Sequence, residues 1–330
     1  MNLKKPYKRI IILGGCGFLG LITANLLINK FYKIIIVDYE FNKSKCPKNI
    51  NFVGIDLLKN KITDFININS NDLIINLASR QYSNPVPYFN RQKWFDKLNH
   101  EVTVETMEMC IKKKVRGYIF FSSDMVYGIN HDLKINENSE TNPIAQYGKS
   151  KLKAEKSLRR IANNKIPLTI FRPRLISGPG RLGVFKNLFK LIKNSLPVPL
   201  IGNGGNCYQM VSVFDCAEAI KLAIENNIPN ETFNLASNKE ITVKKLIIEL
   251  ISHANSTSKV FPTNSKYIKF FLNLFDLFGK PLLFKEQYMI ADRNIILDIK
   301  KAEKTLKWKP IFDDQNMINE SYDSWLKQYK

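Results

Sequence analysis

Three side chains in the middle of the sequence have the types and spacing for proton transfer: Ser123, Tyr147 and Lys151. Tyr147 and Lys151 are four apart, so on a helix they share one face. A free tyrosine titrates near pH ~10 and is a poor base at neutrality. An ammonium close by favours the phenolate. Such a phenolate, in reach of a substrate hydroxyl, takes its proton while the carbon gives up hydride, and a positioned base is worth ~10²–10⁴ in rate. Ser123 would hold the substrate oxygen as it passes between alcohol and ketone. A tyrosine and a lysine at this spacing also occur by chance on surface helices. The pattern gains its weight from the elements around it.

Those elements alternate between strand and helix. The apolar run 118–121 reads as a buried strand that stops at Ser122 and Ser123, and open α/β sheets collect ligands at the carboxyl ends of strands. A polar loop and a helix-forming run over 152–161 follow. Near the N-terminus, strand 9–13 leads into Gly14-Gly15-Cys16-Gly17-Phe18-Leu19-Gly20 and a helix through Leu27. Glycines at 14, 17 and 20 permit a tight turn and let a pyrophosphate approach N–H groups at the helix N-terminus. Strand 33–37 ends in Asp38, whose carboxylate suits both ribose hydroxyls and repels a 2′-phosphate, favouring NAD over NADP. Lys43, Lys45 and Lys48 leave some room for NADP. Strand 51–55 reaches Asp56 and Leu57, where a carboxylate either binds the adenine amino group or caps a helix. Strand 72–79, carrying Leu77, Ala78 and Ser79, would lie along the middle of the cofactor. Residues 80–93, with Arg80, Pro85 and Pro87, read as a loop at a substrate mouth, and a helix over 94–113 carries Asn99.

Composition sets broad limits. The chain has 330 residues, 45% apolar and 24% charged, which are globular values. A formal charge of +21 invites a nucleic-acid or membrane-surface reading, but the lysines are scattered and not clustered with aromatics. A basic surface also steers phosphate-bearing substrates. The five cysteines (Cys16, Cys46, Cys110, Cys207, Cys216) lack C-x-x-C spacing, which indicates neither a disulfide framework nor zinc and fits a reducing compartment. His100, His131 and His253 are too dispersed for a metal cluster. Lys4, Lys5, Lys8 and Arg9 precede an apolar run that meets Gly14 almost at once, unlike a signal peptide. No stretch is long enough to span a membrane.

The glycine loop, Asp38, Asn76-Leu77-Ala78, Asn99, Ser122-Ser123 with Val126-Tyr127-Gly128, and Tyr147-Gly148-Lys149-Ser150-Lys151 resemble the extended short-chain dehydrogenase/reductase superfamily. Within it they are similar to the NAD-dependent nucleotide-sugar epimerase/dehydratase branch. Downstream, residues 171–180, 211–215, 231–236 and 298–310 resemble the family's later elements, so the likeness covers nearly the whole chain. It implies catalysis by Ser123, Tyr147 and Lys151, with Asn99 supporting the lysine and its water. It also implies NAD held by Gly14, Cys16, Gly17, Phe18, Leu19, Gly20, Asp38, Asp56, Leu57, Leu77, Ala78, Ser79, Tyr147, Lys151 and Pro173. Substrate would meet Arg80, Ser123, Asp124, Met125, Arg174, Arg181 and Tyr208.

Departures from the family bear on substrate. Dehydratases of the branch show Thr-Asp-Glu where this chain has Ser123-Asp124-Met125, and methionine cannot act as a base. That ranks 4,6-dehydratase below epimerase or dehydrogenase. Leu175 and Tyr208 stand where many sugar-nucleotide enzymes carry Asn and Arg; Arg174 and Arg181 are the substitutes as phosphate ligands. The aromatic segment 261–278 resembles 3β-hydroxysteroid dehydrogenase relatives. It would line an apolar pocket or rest on a membrane surface, or else be a buried helix of the substrate lobe or a dimer contact, the reading preferred.

The expectation is an α/β protein with a doubly wound parallel (Rossmann) sheet over residues 1–176, to which about 211–238 return. A smaller C-terminal substrate-binding lobe spans mainly 177–330. The expected function is NAD-dependent epimerisation of a nucleotide-sugar through a transient ketone. The alternatives are an NAD(P)-dependent 3β-hydroxysteroid-like or other alcohol dehydrogenase, then a 4,6-dehydratase or a non-catalytic NAD-binding protein. A cytoplasmic homodimer pairing helices near 94–113 and 150–162, with no nucleic acid, membrane segment or metal, completes the expectation.

Overall fold

The structure, a computed structural model, describes residues 7, 9–28, 33–40, 50–130, 132, 134–180 and 183–329. Lys4, Lys5, Lys8, Lys43, Lys45, Lys48, Cys46, His131 and Arg181, all singled out above, lie outside them.

Runs of isoleucine, valine and phenylalanine form strands β1 (Arg9–Leu13), β2 (Lys33–Asp38), β4 (Asp72–Asn76), β5 (Gly117–Phe121) and β6 (Leu168–Pro173). Strands whose central positions are apolar on both faces, such as Ile10–Ile12 and Ile34–Val37, assemble as a parallel sheet covered on both sides. With β3 (Asn51–Gly54) and β10 (Thr232–Leu235) at the edges, the sheet has seven strands in the order β10-β6-β5-β4-β1-β2-β3, every pair parallel. The strand order reverses between β1 and β4, which opens a crevice at their carboxyl ends.

One face carries α1 (Phe18–Ile28) and α6 (Val213–Glu225), whose Leu19, Ala24, Leu27, Ala217 and Ile220 pack with Ile10, Ile12 and the buried Trp308. The other carries α3 (Thr103–Lys112) and α4 (Gln146–Ala162), which bury Met107, Cys110, Ala154 and Leu158 against Ile11, Ile74 and Phe120. Residues 299–308 pack on the first face through Ile299, Ala302, Leu306 and Trp308. Trp308 Nε1 donates to the Asp215 carbonyl at 2.8 Å, and the Asp215 carboxylate accepts from Ile311 and Phe312 N–H groups.

A third apolar cluster joins α5 (Lys186–Lys193), β8 (Val198–Ile201), α7 (Val243–His253) and α11 (Asp314–Tyr329) through Phe189, Leu200, Leu250 and Trp325. β8 pairs with β11 (Val260–Thr263), and β7 (Leu175–Ser177) with β9 (Met210–Ser212), as two small parallel sheets. α8 (Ser265–Leu277), α9 (Lys285–Met289) and α10 (Lys300–Leu306) complete this side of the molecule.

Two elements differ from the sequence expectation. The strand expected over 72–79 stops at Asn76, because the Asn76 side chain accepts the Ala78 N–H at 3.1 Å and turns the chain. The helix expected over 94–113 begins earlier, as α2 (Arg91–Asp96), and passes through a π-helical turn, Lys97–Val102, before α3. Such turns widen the helix and recur at functional sites.

A buried ion pair ties α4 to the sheet. Glu155 meets the Arg172 guanidinium at 2.6 Å, Arg172 also donates to the Tyr127 hydroxyl at 2.9 Å, and Tyr127 donates to Asn234 of β10 at 2.7 Å. Removing one partner leaves the other charge buried and uncompensated. Glu155→Ala should therefore lower stability by about 3–5 kcal/mol in urea unfolding. A loss below about 1 kcal/mol would show that water reaches Arg172.

Candidate active site

A cleft of about 1650 Å³ runs along the carboxyl ends of the central strands. At its base the backbone closes tightly around the glycine loop. Gly14 has φ +72°, and a Cβ there would stand 2.7 Å from the Ala78 nitrogen. At Gly20 it would stand 2.6 Å from the Gly14 carbonyl. Any side chain at either position would push the start of α1 away from the strand ends, closing the cradle that a pyrophosphate needs. Asp38 ends β2 on the same wall, where its carboxylate accepts from Cys16 N–H at 3.0 Å and Tyr39 N–H at 2.9 Å. Burial raises its pKa, and these backbone bonds oppose the rise.

The residues assigned above to NAD, from Gly14 to Pro173, all line this cleft. So do Ser123, Asp124, Met125, Arg80 and Arg174. Ser123 caps the short 3₁₀ turn Asp124–Val126 at the end of β5, accepting from Met125 N–H at 3.2 Å. Tyr147 and Lys151 occupy the first turns of α4. Lys151 is buried, its Nζ donates to the Phe121 carbonyl at 2.9 Å, and it lies 5.9 Å from the Tyr147 ring centre. Burial lowers its pKa to about 7, against the opposing pull of Glu155.

Asn99, Tyr208 and Arg174 are each held by neighbours within the protein. Asn99 is fully buried behind the wall. It accepts from Ser79 and from Arg80 N–H and donates to the Arg80 carbonyl and to Ser150 Oγ, with all four bonds between 2.8 and 3.2 Å. It thus clamps the 79–80 turn to α4, and none of these bonds reaches Lys151. Tyr208 lies outside the cleft wall, its ring 4.3 Å from the Arg174 guanidinium. Arg174 itself is buried in an ion pair with Asp124, so this arginine already has a counter-charge. Its Nε and Nη2 are nonetheless buried without a hydrogen-bond partner.

The residue that sequence reasoning missed is Glu286 of α9. It is 1% exposed and accepts from Tyr82 Oη at 2.7 Å, Gly148 N–H at 2.8 Å and Ala145 N–H at 3.1 Å. Ala145 is the N-cap of α4 and has no side chain able to cap it, so a carboxylate 141 residues away does so. A helix entered through Ala145 without Ser, Thr, Asp or Asn was the available signal. Tyr82 stacks on Phe284 at 4.3 Å and packs against Tyr147 at 5.8 Å, closing the rim.

The family model described as the NAD dependent epimerase/dehydratase family matches residues 10–236. The chain belongs to that family. It is an enzyme of this NAD-dependent class, and relatives span it nearly end to end. A putative UDP-glucose 4-epimerase of Methanocaldococcus jannaschii is 28% identical over 96% of this chain and 98% of its own length. The UDP-glucose 4-epimerase of Vibrio cholerae is 25% identical, covering 93% of this chain and 92% of that one. Among solved structures, the UDP-glucuronic acid 4-epimerase of Bacillus cereus in complex with NAD superposes with a TM-score of 0.79 at 19% identity, over 98% of this chain and 100% of that one.

In this epimerase/dehydratase chain, burial raises the Glu286 carboxyl from 4.5 to about 7, against the hydrogen bonds it accepts. A raised carboxyl favours folding fully below about 4.5, and the contribution is lost as pH rises through about 7. Glu286→Gln, which keeps an acceptor for the α4 N–H groups, should flatten the stability profile across that window. Glu286→Ala strands three donors and should cost about 1–3 kcal/mol above pH 7, and more below about 4.5, where the wild type holds the full contribution of the raised carboxyl. Urea midpoints measured at several pH values decide. Parallel profiles for wild type and Glu286→Gln would show that Glu286 titrates normally.

Proposed function

We infer that the protein is a nucleotide-sugar epimerase that works through a transient ketone. The observation that carries this reading is the convergence of Ser123, Tyr147 and Lys151 on one cleft with the glycine loop and Asp38. The glycine cradle and the carboxylate of Asp38 suit a dinucleotide with unphosphorylated ribose, hence NAD in preference to NADP. When bound, NAD supplies the acceptor and later the donor of hydride. The chain's own residues handle the proton and the oxygen. Tyr147 removes the proton from the sugar hydroxyl, Lys151 favours its phenolate, and Ser123 donates to the oxygen as it becomes a carbonyl. Once the ketone has turned over in the site, Tyr147 returns the proton and the opposite configuration results.

Two observations favour epimerisation over the alternatives. Met125 stands where a dehydratase needs an acid, and the Asp124 carboxylate beside it is already paired with Arg174. The steroid-dehydrogenase reading drew on segment 261–278, yet residues 265–278 line no part of the cleft. Names of relatives such as UDP-glucose 4-epimerase support the nucleotide-linked sugar.

The purified protein should carry NAD and interconvert UDP-sugars with none added. Tyr147→Phe should retain NAD and lose ~10²–10⁴ in turnover. Stoichiometric consumption of added NAD would make the protein a net dehydrogenase. Unchanged turnover in Tyr147→Phe would remove Tyr147 from the chemistry altogether.

A further inference from the structure

Helix α8 is amphipathic in the wrong direction for a core helix. Its large apolar residues fall at Tyr267, Phe270, Phe271, Leu274 and Phe275, with Phe278 at its C-cap, a single stripe at helical spacing. All six are exposed: Tyr267 by 68%, Phe270 by 63% and Phe278 by 73%. The one buried residue of the helix is Leu272. The preferred sequence reading was a buried helix of the substrate lobe or a dimer contact, and this exposure contradicts the first of the two.

The patch does not end with the helix. The Tyr88 hydroxyl donates to the Leu277 carbonyl, which fixes the 88–89 loop beside α8. Phe89 on that loop is 75% exposed. Leu282, five residues past the end of α8 and 55% exposed, also lines the rim of the cleft. Contiguous exposed apolar surface of this kind marks an interaction site.

We propose that α8 and the 88–89 loop form an interfacial surface that rests on an anionic lipid bilayer, with the mouth of the cleft at its edge. At 13 residues the helix is too short to cross a bilayer, which needs ~20. Among the described residues no helix is long and apolar enough to do so. A helix lying flat, with aromatics on one side and lysines flanking them, is the form that seats at the headgroup boundary. Lys266, Lys280 and Lys285 flank the stripe and are exposed. The helix's own acidic residue, Asp276, is already paired with Arg91 at 2.6 Å. Charge selects between occupants. A formal charge of +21 draws the chain to an anionic surface and opposes a second copy of itself at the same patch. The proposal concerns where the enzyme sits and is independent of the reaction assigned to the cleft.

Flotation of the full chain with phosphatidylcholine vesicles containing about one third phosphatidylglycerol tests it. Wild type should float with these vesicles, float less with phosphatidylcholine alone, and detach as salt is raised. The Phe270→Ser/Phe275→Ser double variant should reduce the bound fraction by about tenfold, with its melting temperature and NAD content unchanged. Lys266→Glu/Lys280→Glu provides a second variant that leaves the aromatic stripe intact and should also bind less. Tyr147→Phe should float as wild type does, which separates this proposal from the catalytic one. Wild type remaining unbound at low salt, or the aromatic variant floating equally well, would overturn it. So would light scattering that shows a wild-type dimer which the double variant converts to a monomer, since a second copy would then cover the stripe.

Discussion

A buried ammonium meeting one strand-end carbonyl is the contact on which the site depends. Lys151 donates to the Phe121 carbonyl at 2.9 Å, at the point where β5 ends and Ser123 begins the next turn. Burying a lysine is unfavourable unless its charge is met. Here it is met weakly, by a carbonyl, by the face of Phe120 at 4.9 Å and by the field of Glu155, and its pKa falls to about 7. The packing of Ala154 and Leu158 against the sheet holds α4 where this burial is unavoidable. The core thus fixes the lysine, and the lysine's position fixes the face that carries Tyr147.

The C-terminal part of the chain acts on the same helix from the other side. Through Glu286 it supplies the cap that Ala145 cannot, and through Phe284 and Tyr82 it packs an aromatic rim against Tyr147. Gly148 makes room for that arrangement, since a Cβ there would stand 2.5 Å from the Met125 carbonyl and 2.9 Å from Glu286 Oε1. The turn after β5, the start of α4 and α9 are therefore one packed unit. A change in the C-terminal part of the chain that displaces α9 also frees the first turn of the helix bearing the phenol.

The sequence was informative where the cleft is built from residues close together in the chain. The glycine loop, Asp38 and the strand-end serines declare themselves by order and spacing, since strand, turn and helix follow within a few residues. The sevenfold parallel sheet followed from runs such as Ile10-Ile11-Ile12 that leave no face for solvent. What stayed hidden was pairing across distance. Nothing near Glu286 points to Ala145, nothing near Arg174 points to Asp124, and the partners of Asn99 come from two other elements. The period of α8 was legible, but a period does not say whether the apolar stripe turns inward or outward.

The direct test of this account is the titration of Lys151 in protein freed of cofactor, followed by NMR of isotope-labelled lysine side chains and assigned with Lys151→Met. The geometry predicts a midpoint of about 7, far below the other lysines. A midpoint at the ordinary 10.5 would place the ammonium in water and contradict the arrangement of α4 on β5.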